Sequence, residues 1–308
     1  MPDDASPPTP AGGPLFDLYS PEIDSNPFPH YHRLREEAPA YWCETGGLWI
    51  LTRFDDVFMA ANDWETFSSA KGNLIDEIPG RAGATLGSTD PPRHDRLRAL
   101  SQAAFLKRNV DYLVEPIREL ADAALDQILE KGSFDFVTEF SSAITVPTLL
   151  RMMGLPERVP VEIRRKVVLS ISTDKSVKGR SEEMNQAFYD LGEFLQEEVT
   201  ARRKNPSDDL ITHLAEVEVD GERLEDREIV MTSATFVMAG IESLSSFMTM
   251  LALNLHDYPD ARRRITTNSD LMPQAIEESL RFNTSAQRFK RTIARPITLH
   301  GQELKVGD

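Results

Sequence analysis

The chain has 308 residues, 40% apolar and 27% charged, the balance of a folded globular protein long enough to bury a substantial core. Its 34 Lys and Arg against 50 Asp and Glu leave a net charge of −16, which argues against nucleic acid as the main partner. A single cysteine, Cys43, excludes an intrachain disulfide framework and a multi-cysteine zinc or iron–sulfur site, and it fits a reducing, cytoplasmic location.

The first residues, Met1 to Pro14, hold five prolines and no basic or long apolar stretch. They read as neither signal peptide nor anchor, and residues 1–20 are assigned to a flexible Pro-rich segment. Ala40–Trp42 and Leu48–Leu51 are short, aromatic and β-branched around Thr45-Gly46-Gly47, which predicts a hairpin. Arg53–Asn62 reads as helix. Ser68–Gly87, with four glycines and a proline, reads as a long functional or mobile loop.

Helices then follow one another. Asp90-Pro91-Pro92 offers an N-cap and a first-turn proline to a helix running to about Phe105. Val110–Glu130 is amphipathic and stops at Lys131-Gly132. Phe136–Met153 is apolar on most faces and ends at Gly154 and Pro156. Glu162–Ser170 and Glu182–Lys204 flank a loop around Thr173–Gly179. Asp226–Asp257 predicts one helix of about 48 Å at ~1.5 Å per residue. It is long enough for a bilayer, but Glu242 and its many Ser and Thr favour a buried core helix and no membrane. Met272–Phe282 is a further helix, and Phe289–Leu299 reads as strand and turn. No internal repeat or Pro/Gly/Ser linker splits the chain, so residues 21–308 are taken as one domain.

Three features stand out chemically. In Phe236-Val-Met-Ala-Gly-Ile-Glu-Ser243 all helix faces are apolar, yet Gly240 costs about 1 kcal/mol relative to Ala and Glu242 with Ser243 adds a polar pair. Either Gly240 allows close helix packing, or the helix opens there to admit a small ligand beside an acid and a hydroxyl. Second, Pro91–Arg108 carries Arg93, Arg96, Arg98, Lys107 and Arg108 against Asp95, and Ser279–Arg295 carries Arg281, Arg288, Lys290, Arg291 and Arg295 with no acid. These basic islands call for an anionic ligand, an acidic partner, internal ion pairs or solvent. His94 and Arg98, at i and i+4, share a helix face and could grip one carboxylate. Third, Glu278 and Arg281 form an i,i+3 pair that alone means little.

Together these features resemble the bacterial cytochrome P-450 monooxygenases. Asp90-Pro-Pro-Arg-His-Asp-Arg-Leu-Arg98, Ala239-Gly-Ile-Glu-Ser243, Glu278-Ser-Leu-Arg281 and Arg291 followed by Gly301 appear in that family's order and spacing. Leu48-Trp-Ile-Leu-Thr-Arg-Phe-Asp55 and Phe67-Ser-Ser69 resemble its N-terminal sheet region. Any one motif is weak, whereas four in register are specific. The resemblance implies a mainly α fold with small β-sheets. It also implies a haem-thiolate enzyme that uses haem b (heme, iron protoporphyrin IX) to hydroxylate a small organic substrate with O2. Two electrons would come from NAD(P)H through a ferredoxin and ferredoxin reductase.

By the same resemblance His94, Arg98 and Arg291 match binders of the haem propionates. Ala239 and Gly240 match an oxygen groove, and Glu242 and Ser243 match the acid and hydroxyl of the oxygen-activation relay, with Ser in place of the usual Thr. Glu278 and Arg281 match a structural helix pair. Thr235, Met238 and Ala239 are candidate substrate contacts, and Ser68–Gly87 with Thr173–Gly179 falls at the substrate lid. The family's cysteine iron ligand sits in a C-terminal loop that would follow Asp308, so the fold is expected to be incomplete, lacking that loop and the helix after it. This chain is expected to supply no metal ligand and by itself to be inactive. Cys43, in the hairpin without flanking glycines, reads as a small buried apolar side chain. The alternative is a haem-free, cysteine-lacking homologue acting as a scaffold or activator of another enzyme.

Overall fold

The structure, a computed structural model, describes residues 14–106, 110–155 and 160–308, without the side chains of 160–164. The lead-in up to residue 13, Lys107, Arg108 and Pro156 lie outside the described residues. In chain order, α1 (Pro21–Ser25) and α2 (Phe28–Glu37) precede a hairpin of β1 (Ala40–Cys43) and β2 (Leu48–Leu51). Next come α3 (Phe54–Asn62), β3 (Phe67–Ser68), α4 (Arg93–Ala104), α5 (Val114–Leu129), α6 (Ser142–Met153) and α7 (Pro160–Ile171). Then follow α8 (Glu182–Lys204), α9 (Leu210–Glu216), β4 (Glu218–Val219), β5 (Glu222–Arg223) and α10 (Asp226–Asp257). The described chain ends with α11 (Pro259–Thr267), α12 (Met272–Phe282), β6 (Thr292–Ile293), β7 (Ile297–Leu299) and β8 (Gln302–Leu304).

This is the mainly helical architecture with small sheets that the sequence implies. Of the α-helices absent from the sequence reading, α1, α2 and α11 each carry proline in their first turn, where its missing N–H costs nothing, and the short α9 is capped by Asp209, which accepts from Thr212 N. The expected Phe136–Met153 helix is observed in two parts. A π-helical turn over Phe136–Ser141, capped by Asp135, which accepts from Thr138 N at 2.7 Å, leads into α6.

Residues 14–95, 173–182 and 289–308 form one compact unit. Its first core joins Leu15, Phe16, Leu18, Ile23 and Leu34 to Tyr41 and Cys43 of the hairpin. Phe16 stacks on Tyr31 with ring centroids 5.7 Å apart. Leu15, Phe16 and Leu18, read from sequence as part of a flexible lead-in, are therefore buried, because these apolar side chains pack with the hairpin in one core. Cys43 is fully buried, with its sulfur against Phe16 O and Thr45 Oγ1. A second core holds Phe67, Ile293 and Leu304, flanked by Trp49, Leu51 and Met59. Here β3 pairs antiparallel with β6, placing Ser68 opposite Thr292. The β7–β8 hairpin is fastened by His300, whose Nε2 lies 2.7 Å from Asp56 Oδ2 on α3.

Residues 96–172 and 183–288 form the other unit, built around α10. The helix packs on α6, the π turn, α7, α9, α11 and α12. Ile229 to Ala234, Val237, Met238 and Ile241 are buried, as the sequence requires of a core helix. The second half differs from that expectation, since Leu244 and Leu253 are exposed. Cover from α6 and its π turn reaches only as far as Ser245, whose hydroxyl meets those of Ser141 at 2.9 Å and Ser142 at 3.1 Å. By length and composition α10 is also apolar enough to cross a membrane, although its N-terminal half is packed inside this unit.

Candidate functional site

In the first unit, the long loop after β3 is knit around one carboxylate. Glu77 accepts from the amides of Asn73, Leu74 and Ile78 and pairs with the buried guanidinium of Arg81 at 2.7 Å. Arg81 also donates to Asn73 Oδ1 at 2.8 Å. A loop of this length stays ordered when its turns share such an internal acceptor. The Thr173–Gly179 connection meets this loop: Thr173 Oγ1 donates to Asp76 Oδ2 at 2.6 Å, while Tyr19 donates to Asp76 Oδ1 at 2.9 Å. Lys175 pairs with Asp24 at 2.5 Å. The two segments assigned to a substrate lid are thus joined through Asp76.

The Asp90-Pro91-Pro92 run leads into α4, but not as a side-chain N-cap. The Asp90 carboxylate takes the Ser68 hydroxyl at 2.5 Å and the Ser69 amide at 2.8 Å, and only its main-chain carbonyl receives the His94 amide, at 3.0 Å. His94 is half-buried, with Nδ1 3.0 Å from Asp95 Oδ1. Arg291 is also half-buried and donates to its neighbour's carbonyl, Lys290 O, at 2.8 Å. Lys290 in turn binds the loop, through Asn73 O and Ile75 O. Burial pushes the Arg291 guanidinium below its ordinary value, and the charge of Asp90 pushes it back up.

In the second unit, one turn beyond His94 on α4, Arg98 is exposed. The basic islands now sort into two groups. Arg96 binds Glu228 in bidentate fashion at 3.0 Å, together with Glu222 and Arg223 O. Arg281 pairs with Glu278, and Arg295 with Glu65. These ion pairs are one of the compensations the sequence left open. Among the described residues, neither Arg98 nor Arg291 forms a salt bridge.

On α10 the helix is continuous through Gly240. A Cβ added there would lie 3.1 Å from Leu149 Cδ1 of α6, so the glycine permits close approach of two helices. The Ser243 hydroxyl donates back to Ala239 O, an i−4 bond that bends helices. Ala239 and Ser243, one turn apart, are both exposed, and Glu242 is half-buried. Thr235 donates to Met231 O at 2.8 Å, and Met238 is buried. Glu278 and Arg281 form a two-pronged bond at 2.8 and 2.7 Å while remaining 62% and 69% exposed, and Arg281 holds the Glu278 carboxyl below its usual range. What anchors α12 is its neighbour Ser279, buried and accepting from Asn254 Nδ2 of α10 at 2.7 Å. The sequence reading passes over Ser279 and takes Asp90 for a helix cap, because a small hydroxyl carries no distinctive local signal and nothing local shows that the Asp90 carboxylate turns to Ser68 and Ser69.

A central helix carrying a small-residue face and an acid, set among other helices, with small antiparallel sheets beside an unbridged arginine, is the architecture of a cytochrome P450. Comparison with known proteins agrees. The cytochrome P450 family model matches residues 166–308. A methyl-branched lipid omega-hydroxylase of Mycobacterium tuberculosis is 31% identical over 293 residues, spanning 89% of this chain and 68% of that protein. Cytochrome P450(MEG) of Priestia megaterium is 29% identical over 92% of this chain and 72% of its own length. The solved cytochrome P450 CYP109Q5 from Chondromyces apiculatus superposes with a TM-score of 0.83 at 23% identity, covering 95% of this chain and 74% of that one. The ligand-free cytochrome P450 TbtJ1 gives 0.79 at 26% identity. The chain belongs to the cytochrome P450 family, whose activity class is haem-dependent monooxygenation.

Proposed function

We propose that this chain carries the haem-anchoring and oxygen-handling residues of a bacterial monooxygenase that hydroxylates a small organic substrate. Electrons would come from NAD(P)H through a ferredoxin and its reductase, in the cytoplasm. The observation that carries this reading is the pair Arg98 and Arg291, cations without a salt-bridge partner among the described residues, one of them half-buried. A half-buried guanidinium with no salt bridge carries a desolvation cost that the more distant Asp90 charge only partly offsets, and an anionic ligand lowers it further. The donor chemistry suits a haem's carboxylates: in the first unit His94 and Arg291, and in the second Arg98, each offer a donor for a propionate.

When bound, haem supplies the binding and reduction of O2, with one oxygen entering the substrate and the other leaving as water. The chain supplies the rest. The exposed Ala239–Ser243 face of α10 presents no bulky side chain, leaving room for a small ligand. The Glu242 carboxyl group and the Ser243 hydroxyl, parked on Ala239 O and able to turn, form the relay that passes protons along this face. Thr235 and Met238 border the same face and orient the substrate. The hydroxylase activity of the mycobacterial relative agrees with this class of reaction.

The non-catalytic scaffold is the second reading, and one observation favours it: Cys43 is enclosed in the hairpin core, its sulfur against Phe16 O and Thr45 Oγ1, and is not available to a haem iron. Both readings predict that this 308-residue chain, reduced with haem and treated with CO, lacks the red-shifted Soret band of thiolate ligation. Haem binding itself separates them. The enzyme reading expects uptake that Arg98→Ala and Arg291→Ala each weaken by about tenfold, from the loss of a charge-assisted hydrogen bond. Absence of any uptake supports the scaffold.

A further inference from the structure

Asp90 has no part in the proposed haem or oxygen chemistry, yet its bonds converge on two of the residues that do. Its carboxylate is spent on β3, through Ser68 Oγ at 2.5 Å and Ser69 N at 2.8 Å. Ser68 lies opposite Thr292 in the β3–β6 ladder, and Thr292 directly follows Arg291. The same ladder is closed by Ala294 N donating to Thr66 O at 2.8 Å. The main-chain carbonyl of Asp90 receives the His94 amide, and two of the three residues between, Pro91 and Pro92, have restricted φ and no N–H of their own.

We propose that Asp90 is a positioning residue: it holds His94, at the start of α4, and Arg291, immediately before β6, in one frame, so that both address the same anionic carboxylate. This rests on the reading of His94 and Arg291 as carboxylate anchors. The placement explains why the acid forgoes the helix amides, the use an N-cap aspartate ordinarily serves. It also explains why a negative charge is tolerated beside an anion site. Asp90 stabilises the half-buried Arg291 charge before a ligand arrives, and its own oxygens are already occupied by Ser68 and Ser69. Fixing two donors in advance lowers the ordering cost of binding.

The test compares Asp90→Ala with Asp90→Asn, since Asn keeps an acceptor for the Ser69 amide and can donate to Ser68 Oγ. Amide hydrogen exchange is read at His94 and Ala294. Exchange about tenfold or more faster in Asp90→Ala and within about threefold of wild type in Asp90→Asn supports the tie, and unchanged exchange in Asp90→Ala overturns it. Hemin and its dimethyl ester, whose carboxylates are blocked, are then titrated against each variant. Asp90→Ala is expected to weaken hemin about tenfold and leave the ester unchanged, with Asp90→Asn near wild type. Equal losses for hemin and ester would mean general destabilisation and would also overturn the proposal. A wild type that binds hemin and ester alike, with no effect of Arg291→Ala, refutes the anchor reading instead. In that case the exchange rates alone decide whether Asp90 ties the two elements.

Discussion

Replacing Gly240 by alanine sets two effects against each other on α10. The new methyl would stand 3.1 Å from Leu149 Cδ1 and 3.2 Å from Cδ2, a few tenths of an ångström inside ordinary contact, and Leu149 is buried with little room to retreat. Overpacking of this kind costs about 1–3 kcal/mol. Alanine in a helix interior recovers about 1 kcal/mol over glycine. The expected net effect is a loss of ~1 kcal/mol. In a Leu149→Ala background, itself about 2–5 kcal/mol less stable, the obstructing methyls are gone. There Gly240→Ala should stabilise by about 1 kcal/mol, so the same substitution changes sign. Urea unfolding followed by far-UV circular dichroism, with comparable m-values, reads both backgrounds. Equal effects in the two, additive within about 0.3–0.5 kcal/mol, would refute the packing argument. A glycine kept only to open the helix for a ligand predicts stabilisation in both.

The oxygen relay makes a different demand on the haem-loaded enzyme. Glu242→Gln should slow turnover by about 10²–10⁴-fold, and Ser243→Ala should divert reducing equivalents into hydrogen peroxide. Product formed per NAD(P)H is measured beside the melting temperature; unchanged turnover and coupling in both variants reject the relay. Tyr19 predicts an alkaline limit. Burial first, then the hydrogen bond to Asp76, push its pKa from 10 to about 12, so the neutral phenol is favoured in the folded state. Its contribution is complete below pH ~10 and is lost as pH rises from there to about 12. Urea midpoints measured across that range should fall more steeply for wild type than for Tyr19→Phe; parallel curves would remove Tyr19 as the cause.

Local pattern was enough for much of this protein. The Trp42–Trp49 hairpin follows from β-branched and aromatic residues around Gly46-Gly47, and its register runs from Ala40↔Leu51 to Cys43↔Leu48. The long helix, thirty-two residues, follows from a mostly apolar stretch preceded by acids at Asp226 and Glu228. The four motifs point to the family because each keeps its spacing within one element or turn. The candidate residues were also nameable in advance, since an acid beside a serine on an apolar helix, or arginines clustered in an acidic chain, stand out against composition alone.

Partner choice over long separations needed the folded chain. Arg96 and Arg98 are indistinguishable in sequence, yet one is neutralised by Glu222 and Glu228 and the other is not. Nothing local to Ser68 reveals that it faces Thr292, or that Asp90 abandons its helix to bind there. The burial of Leu15 and Phe16, in a stretch that composition marks as flexible, depends on a hairpin face more than twenty residues away. The physical reason is common to all of these. Helix and turn propensities are set by neighbours within a few residues, whereas ion pairing and burial depend on which distant surfaces packing brings within a few ångströms.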